Sequence, residues 1–304
     1  MNLAASTAPT ITCSLESLQH NEPLIGTAPR ADVWFLLEYS GHWGNKALKE
    51  SSIPDEIKAH LNELLELIPH SRLLLIKRSP RPNSKITFFA ALSAHDVPRL
   101  YKFHLASYSA LLALDLAAIA NQDPRHDASI TNENLFVICT NGRRDKCCAL
   151  HGVATYNAIH AEYEDVLWQS THHGGHRFAA NLLHLPYGHS YGRLRPENAA
   201  SVLEAGLEGR IALDHYRGRS IYSEPIQAAE ILLRQELGLD RINTLSVAEA
   251  KQQKVGWSVQ FAENGRVHEV RVSTEETGEM IRLSCEEERV SPIKRFRLLE
   301  HQLL

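Results

Sequence analysis

Apolar residues fall in short runs separated by polar, breaker-rich stretches, and the spacing inside each run predicts its element. Val33–Glu38 reads as a strand that ends in the turn-rich segment 40–44. Over 55–68, Ile57, Leu61, Leu64, Leu65 and Ile68 recur at helical spacing, with Pro54 placed near the first turn. Strands are predicted at 72–77 and 86–92, split by the breakers of 79–84. The Leu- and Ala-rich stretch 102–121 reads as one long helix, and the polar stretch from 121 to 132 as a domain boundary. A second region begins with a strand at 135–140 and a polar loop at 141–146. It continues with a helix over 151–163, a strand over 165–170, a His/Gly loop, the apolar run Leu182–Leu185 and a short strand over 191–194. Pro196 is expected to open a helix reaching residue 205, with Glu197 in its first turn. Ser223 is expected to cap Glu224–Leu237, which Gly238 ends. From 255 the pattern becomes alternation, and 255–261 and 266–272 flank Asn264-Gly265, a hairpin signal.

Strands alternating with helices predict α/β layering with a mixed sheet. The division expected is a partly ordered lead-in over 1–30, an N-terminal α/β region over 31–127, a second domain over 128–240 and a β-rich extension over 241–304. There is no repeat of solenoid length and no low-complexity tract.

Composition then removes function classes. The 304 residues carry 32 Lys+Arg against 36 Asp+Glu, a net charge of −4, so no basic field calls for nucleic acid. No apolar run approaches the roughly 20 residues of a membrane span, and the first residues lack the basic-then-apolar order of a secretory signal. A soluble cytoplasmic protein is expected. Five cysteines, an odd number, read as reduced thiols or metal ligands rather than a disulfide framework. Of 17 histidines, seven lie between His151 and His189, beside a cysteine cluster.

That cluster carries the candidate chemistry. The predicted strand at 135–140 delivers Cys139 at its carboxyl end, and a short loop leads to Cys147 and Cys148. The next predicted strand delivers His172, His173 and His176. Ligands in α/β sheets gather at the carboxyl ends of strands, so two such loops can face one another. The cysteine interval, with seven or eight residues between thiols, is wide for a zinc knuckle and suits a loop wrapping something larger than one ion. Taken singly, Cys13 and Cys285 read as small buried apolar residues. His173 reads as a neighbour of ligands, and Arg143, Arg144 and Asp145 as solvated loop charges.

The run 137–148 (VICTNGRRDKCC) and the run 172–181 (HHGGHRFAAN) resemble the sucrase/ferredoxin-like family of thioredoxin-like ferredoxins. The stretches 34–44, 187–193, 216–220 and 227–230 are similar to the same family, so the resemblance spans roughly 30–240. It implies a thioredoxin-like ferredoxin domain over 128–240 holding a [2Fe–2S] cluster through two Cys and two His. Matching residue by residue puts the ligands at Cys139, Cys148, His172 and His176, with Cys147 as the alternative to Cys148. Arg143, Arg144, Asp145, His173 and Arg177 would stand around them. Many relatives carry His where this chain has Asn141. The N-terminal α/β region is open between a second thioredoxin-like half that shields the cluster and one that docks a reductase.

The implied function is electron transfer with an unidentified redox partner protein, a reductase or an electron acceptor, and not sucrose hydrolysis. Two thiolates and two neutral imidazoles leave an oxidised cluster near zero charge, where four thiolates leave it at −2. Its potential is therefore expected above that of plant-type ferredoxins and dependent on pH. Two alternatives stand beside this reading. One is a structural zinc protein using the same four residues. The other is a thioredoxin-like thiol redox protein, which would expect a C-x-x-C that the chain lacks.

Overall fold

The computed structural model of the chain describes residues 11–79, 85–94 and 97–304. Pro80–Ser84 of the expected breaker segment and the first ten residues of the lead-in lie outside the described residues. In chain order the helices are α1 (Cys13–Gln19), α2 (Ala47–Glu50), α3 (Asp55–Leu67), α4 (Leu116–Ala120), α5 (Ala154–Ile159), α6 (Ala199–Leu207) and α7 (Glu224–Leu237). Among the described residues ten strands form one mixed sheet. They are β1 (Val33–Glu38), β2 (Ser71–Lys77), β3 (Ile86–Leu92), β4 (Arg99–Leu105), β5 (Ile130–Thr131), β6 (Leu135–Cys139), β7 (Leu167–Ser170), β8 (Leu182–Leu185), β9 (His189–Tyr191) and β10 (Tyr216–Arg219). A separate antiparallel sheet holds β11 (Ser246–Gln252), β12 (Trp257–Glu263), β13 (Arg266–Arg282) and β14 (Val290–Leu303).

The large sheet runs β10-β9-β8-β6-β7-β2-β1-β3-β4-β5. Its two halves share one plan. β1 and β2 are parallel with α3 between them, and β3 and β4 follow as antiparallel neighbours beside β1. β6 and β7 are likewise parallel with α5 between them, and β8 and β9 follow antiparallel beside β6. The halves join where β2 meets β7 antiparallel, at Ile76↔Ser170 and Lys77↔Gln169.

Strands buried on both faces explain the continuous apolar runs. Phe35 and Leu37 of β1 face the helix side, where Ile57, Leu61 and Leu64 of α3 cover them. Trp34 and Leu36 face the other side, in a core shared with Val137, Trp168 and Leu183 of the second half. Phe136 and Ile138 pack with Tyr156, Val202 and Ile231 from α5, α6 and α7. The small sheet lays Val259, Phe261, Val270 and Val272 on Ala229 and Leu233 of α7.

Three expectations, on 102–121, on Pro196 and on the C-terminal hairpin, are corrected. The long helix over 102–121 is instead β4, a 3₁₀ turn at Tyr108–Ala113 and the short α4, capped by Asp115 accepting from the Ala118 N–H. Seven cross-strand partners on β3 hold 99–105 extended and override the Leu/Ala composition. The lead-in carries α1, whose first turn is capped by Thr12 accepting from the Leu15 N–H. The helix expected from Pro196 begins at Ala199. The C-terminal hairpin is the centre of a four-stranded sheet, with Asn264-Gly265 at positive φ as its turn (48° and 83°).

Candidate metal centre

β6 ends at Cys139, and the chain turns through 140–147 into an irregular helical stretch. Cys148–Val153 is wound as a π-helix that runs into α5. Such wide turns recur at functional sites because they re-aim one side chain. Here the turn brings Gly152 so close to β6 that a Cβ would lie 2.0 Å from the Cys139 carbonyl oxygen. On the neighbouring strand end, Thr171 is bound to Leu75 of β2 by its N–H (2.9 Å) and its hydroxyl (3.0 Å), which fixes the start of the His loop.

Four side chains meet between these loops. Cys139 Sγ lies 3.7 Å and Cys148 Sγ 3.8 Å from His172 Nδ1, and Cys148 Sγ lies 3.6 Å from His176 Nδ1. The two imidazole rings stack with centroids 3.7 Å apart. Cys139, Cys148 and His176 are buried, while His172 is half-buried at the rim of a cavity of about 180 Å³ lined also by Leu48, Leu73, Asn141 and Arg144. Burial, with His176 and His173 alongside, pushes His172 well below the usual imidazole range. Burial also lowers His176, against an opposing pull from Asp145. Both rings are therefore neutral at pH 7, the form that ligates metals. The contact with Cys139 and burial raise the Cys148 thiol well above its usual value, so metal uptake must expel its proton.

The surrounding loops are held by buried polar side chains. Arg217 of β10, 1% exposed, donates to the Gly174 carbonyl (3.1 Å), to Asn181 Oδ1 (2.8 Å), to Thr27 Oγ1 (3.1 Å) and to the Thr27 carbonyl. Asn181 Nδ2 in turn donates to the Gly175 carbonyl (2.8 Å). Gly175 has φ 79°, and a Cβ there would lie 2.4 Å from Arg217 Nη2, so glycine is required. Arg72 Nη1 donates to the His173 carbonyl at 3.1 Å. Asn141 donates to the Gly44 carbonyl (3.1 Å) and accepts from the Arg143 N–H (3.2 Å), tying the Cys loop to the 41–44 turn.

The residues expected around the ligands divide. Arg144 reaches Asn45 Oδ1 (2.9 Å) and Glu287 (3.3 Å), and Arg177 pairs with Glu22 at 2.7 Å. His173 is sealed in the interior rather than facing the cavity, and neither ring nitrogen has a hydrogen-bond partner among the described residues. Asp145, expected as a loop charge, is wholly buried and accepts from the Cys147 N–H (2.8 Å), the Cys285 N–H (2.7 Å) and Ser284 Oγ (2.9 Å).

Cys13 and Cys285, expected as isolated apolar residues, are also not isolated. Cys13 Sγ lies 3.6 Å and Cys285 Sγ 3.4 Å from Cys147 Sγ. Cys147 thus faces a second group, Cys13, Asp145, Cys147 and Cys285, on the far side of the loop from His172. Hydrogen bonding from Cys13 outweighs burial and lowers the Cys147 thiol to about 6. Arg217 and Asn181 lie in the runs 216–220 and 172–181 that carry the resemblance, whereas no local pattern marks Cys13 or Cys285.

An α/β half-sheet whose strands β6 and β7 lead into loops bearing two thiols and two neutral imidazoles has a donor set that could hold a metal ion. The chain belongs to the sucrase/ferredoxin-like family, whose model matches residues 24–218. It is 34% identical over 107 residues to Altered inheritance of mitochondria protein 32 of Meyerozyma guilliermondii, covering 30% of this chain and 36% of that relative. The match therefore spans about a third of the curated relative's length. No solved structure matches the chain.

Proposed function

We propose that the protein is an electron carrier holding a [2Fe–2S] cluster through Cys139, Cys148, His172 and His176. One observation carries this reading: in the loops that follow β6 and β7, His172 Nδ1 lies 3.7 Å and 3.8 Å from the Cys139 and Cys148 sulfurs, and His176 Nδ1 lies 3.6 Å from Cys148 Sγ. The donor chemistry fits the group, since thiolate and imidazole both ligate iron in such clusters. Cys147 is set aside as a ligand because its thiol turns to Cys13 and Cys285. Each half of the large sheet, with a parallel β-α-β unit followed by an antiparallel pair, is read as thioredoxin-like. Five free cysteines suit a reducing compartment such as the cytoplasm.

The cluster, when bound, supplies one-electron chemistry. The chain supplies its potential and its proton. Neutral imidazoles in place of two thiolates remove two negative charges and favour the reduced form, and Arg144 and Arg72 add positive potential at His172. Because His172 Nδ1 faces the thiols, the ring holds its proton at Nε2. Half-exposure gives that proton a route to solvent, so His172 would be the ligand that exchanges a proton with water as the charge of the bound group changes. The same rim is where a partner protein would approach.

A second reading, a closed zinc site on the same residues, is favoured by the mutual approach of the Cys139, Cys148 and His172 donor atoms within 4.8 Å. Anaerobic purification followed by an absorption spectrum and assays of iron and acid-labile sulfide separates the two. A brown protein with iron and sulfide in equal amounts is expected. A colourless protein carrying zinc at this site overturns the electron-carrier reading.

A further inference from the structure

Three of the five cysteines take no part in the proposed cluster site, yet they meet. They come from three distant stretches: Cys13 from the first turn of α1, Cys147 from the ligand loop, and Cys285 from the loop joining β13 to β14. Their sulfurs stand 3.6 Å and 3.4 Å apart, with Cys147 between the other two. A tetrahedral zinc with Zn–S bonds of about 2.3 Å separates its thiolates by about 3.8 Å, so the triad needs only a small expansion to accept one. A cluster of buried thiols packed only for its apolar character would not have a carboxylate beside it. Asp145, itself without solvent exposure, places both carboxylate oxygens 3.9 Å from Cys13 Sγ. Its Oδ2 accepts from the Cys285 N–H and Ser284 Oγ and its Oδ1 from the Cys147 N–H, and on the side of the sulfurs the carboxylate meets only the long contact from the Cys13 thiol, whose proton a metal ion would replace. The Cys13 N–H donates to Cys285 Sγ at 3.2 Å, the outer-shell bond that orients a metal thiolate. The scaffold around the triad is pinned independently, because Arg282 of β13 donates to Glu16 of α1 at 2.7 Å.

We infer that Cys13, Cys147 and Cys285, with Asp145 Oδ1 as fourth donor, form a second metal site that takes a single zinc ion. It is separate from the Cys139/Cys148/His172/His176 site and clamps α1 and the β13–β14 loop onto the ligand loop. The Cys13 thiol keeps its proton and shares it with Asp145 and Cys147, so a divalent cation takes the place of that proton among the three sulfurs and the carboxylate, and thiolate-rich donor sets select zinc over magnesium or calcium. Four protein donors close the coordination sphere, so the ion is structural and not catalytic. Because Cys147 and Cys148 are adjacent, the ion fixes from below the residue whose neighbour serves the upper site.

Cobalt(II) is the probe, added to full-length Cys139→Ser protein freed of metal, in which the upper site is disabled. One equivalent of cobalt is expected to give sulfur-to-cobalt charge transfer and tetrahedral d–d bands, both abolished by one equivalent of zinc. Adding Cys285→Ser or Cys13→Ser should weaken cobalt binding at least tenfold, and in the otherwise wild-type chain each should lose zinc while keeping iron and sulfide. If a double variant fails to fold, alkylation of Cys285 by N-ethylmaleimide in the Cys139→Ser chain gives a second readout, with zinc expected to slow it at least tenfold. Absence of thiolate charge transfer in Cys139→Ser overturns the inference. So does recovery of a Cys147–Cys285 disulfide peptide from anaerobically purified wild type, or equal alkylation with and without zinc.

Discussion

Cys147 and Cys148 are chain neighbours whose thiols face opposite groups, so a one-atom change at each should have different results. Cys148→Ser and Cys139→Ser are expected to lose the iron, whereas Cys147→Ser keeps it; iron and sulfide content of the purified variants decides this, and loss in Cys147→Ser with retention in Cys148→Ser would exchange their roles. His172→Cys and His176→Cys should still bind a cluster, each adding one negative charge, so the midpoint potential falls. An unchanged or higher potential in both variants would remove these histidines as ligands. Burial holds the His172 ring neutral, and with Nδ1 given to the proposed cluster its proton would sit at Nε2. The potential should therefore fall as pH rises through the pKa of the oxidised form, with a limiting slope of about 59 mV per unit for one proton per electron. His172→Cys should flatten this slope in a redox titration, and a flat line in wild type would mean the ring proton does not exchange. At this scale much of the candidate site is legible in the sequence, because Cys139, Cys148, His172 and His176 lie at the end of β6 or in the segments that follow β6 and β7, two strands that pair directly. Cys13 and Cys285 are not legible, since only the folding of α1 and the small sheet brings positions 13 and 285 to 147.

The His loop is an element with almost no regular structure, and a buried guanidinium holds its shape. Arg217→Met would strand the Gly174 carbonyl and Asn181 Oδ1 in the interior, at about 1–3 kcal/mol for each buried group left unpaired. The expected result is a lower urea midpoint and cluster loss at a milder chelator concentration. Arg217→Lys should recover little, because an ammonium cannot reproduce the planar fork. Unchanged chelator resistance in Arg217→Met would show that the loop holds its ligands without this tether. The sequence shows the arginine but not its partners, which lie at 27, 174 and 181. The misread helix over 102–121 has a related cause. Local composition favours helix there, while the pairing of β4 with β3, a tertiary fact, decides the outcome. Glu224–Leu237 and the Asn264-Gly265 turn are legible because Pro225 in the first turn, left-handed Gly238 and the turn pair act within a few residues, although the expected Ser223 cap makes no side-chain capping bond.

Across the whole molecule, buried neutral histidines make the fold sensitive to acid. Burial lowers His184 to about 3, and its Nε2 pairs with Asn134 at 2.8 Å; burial also lowers His189 well below its usual value. The folded pKa lies below the unfolded one, so below about pH 6.5 the unfolded chain binds more protons and stability falls with pH. Each such histidine costs about 1.4 kcal/mol per pH unit in that window. Urea midpoints measured from pH 7.5 to 5.5 should decline, and His184→Gln should decline less steeply; equal slopes would place the acid sensitivity elsewhere. No helix among the described residues is long and apolar enough to cross a membrane. The antiparallel joint between β2 and β7 has a consequence for the chain's solubility. A half-sheet cut free at 121–134 would expose β2 or β7 as an open edge with unpaired backbone groups, a template for another strand. In the intact chain β2 and β7 cover one another at Ile76 and Lys77, with Thr171 extending the contact to Leu75, and the outermost strands of the large sheet are β5, two residues long, and β10, four residues long. Either half expressed alone is therefore expected to aggregate, and the two halves expressed together to reunite. Fusion of the halves in one chain thus acts as its own guard against strand-to-strand association.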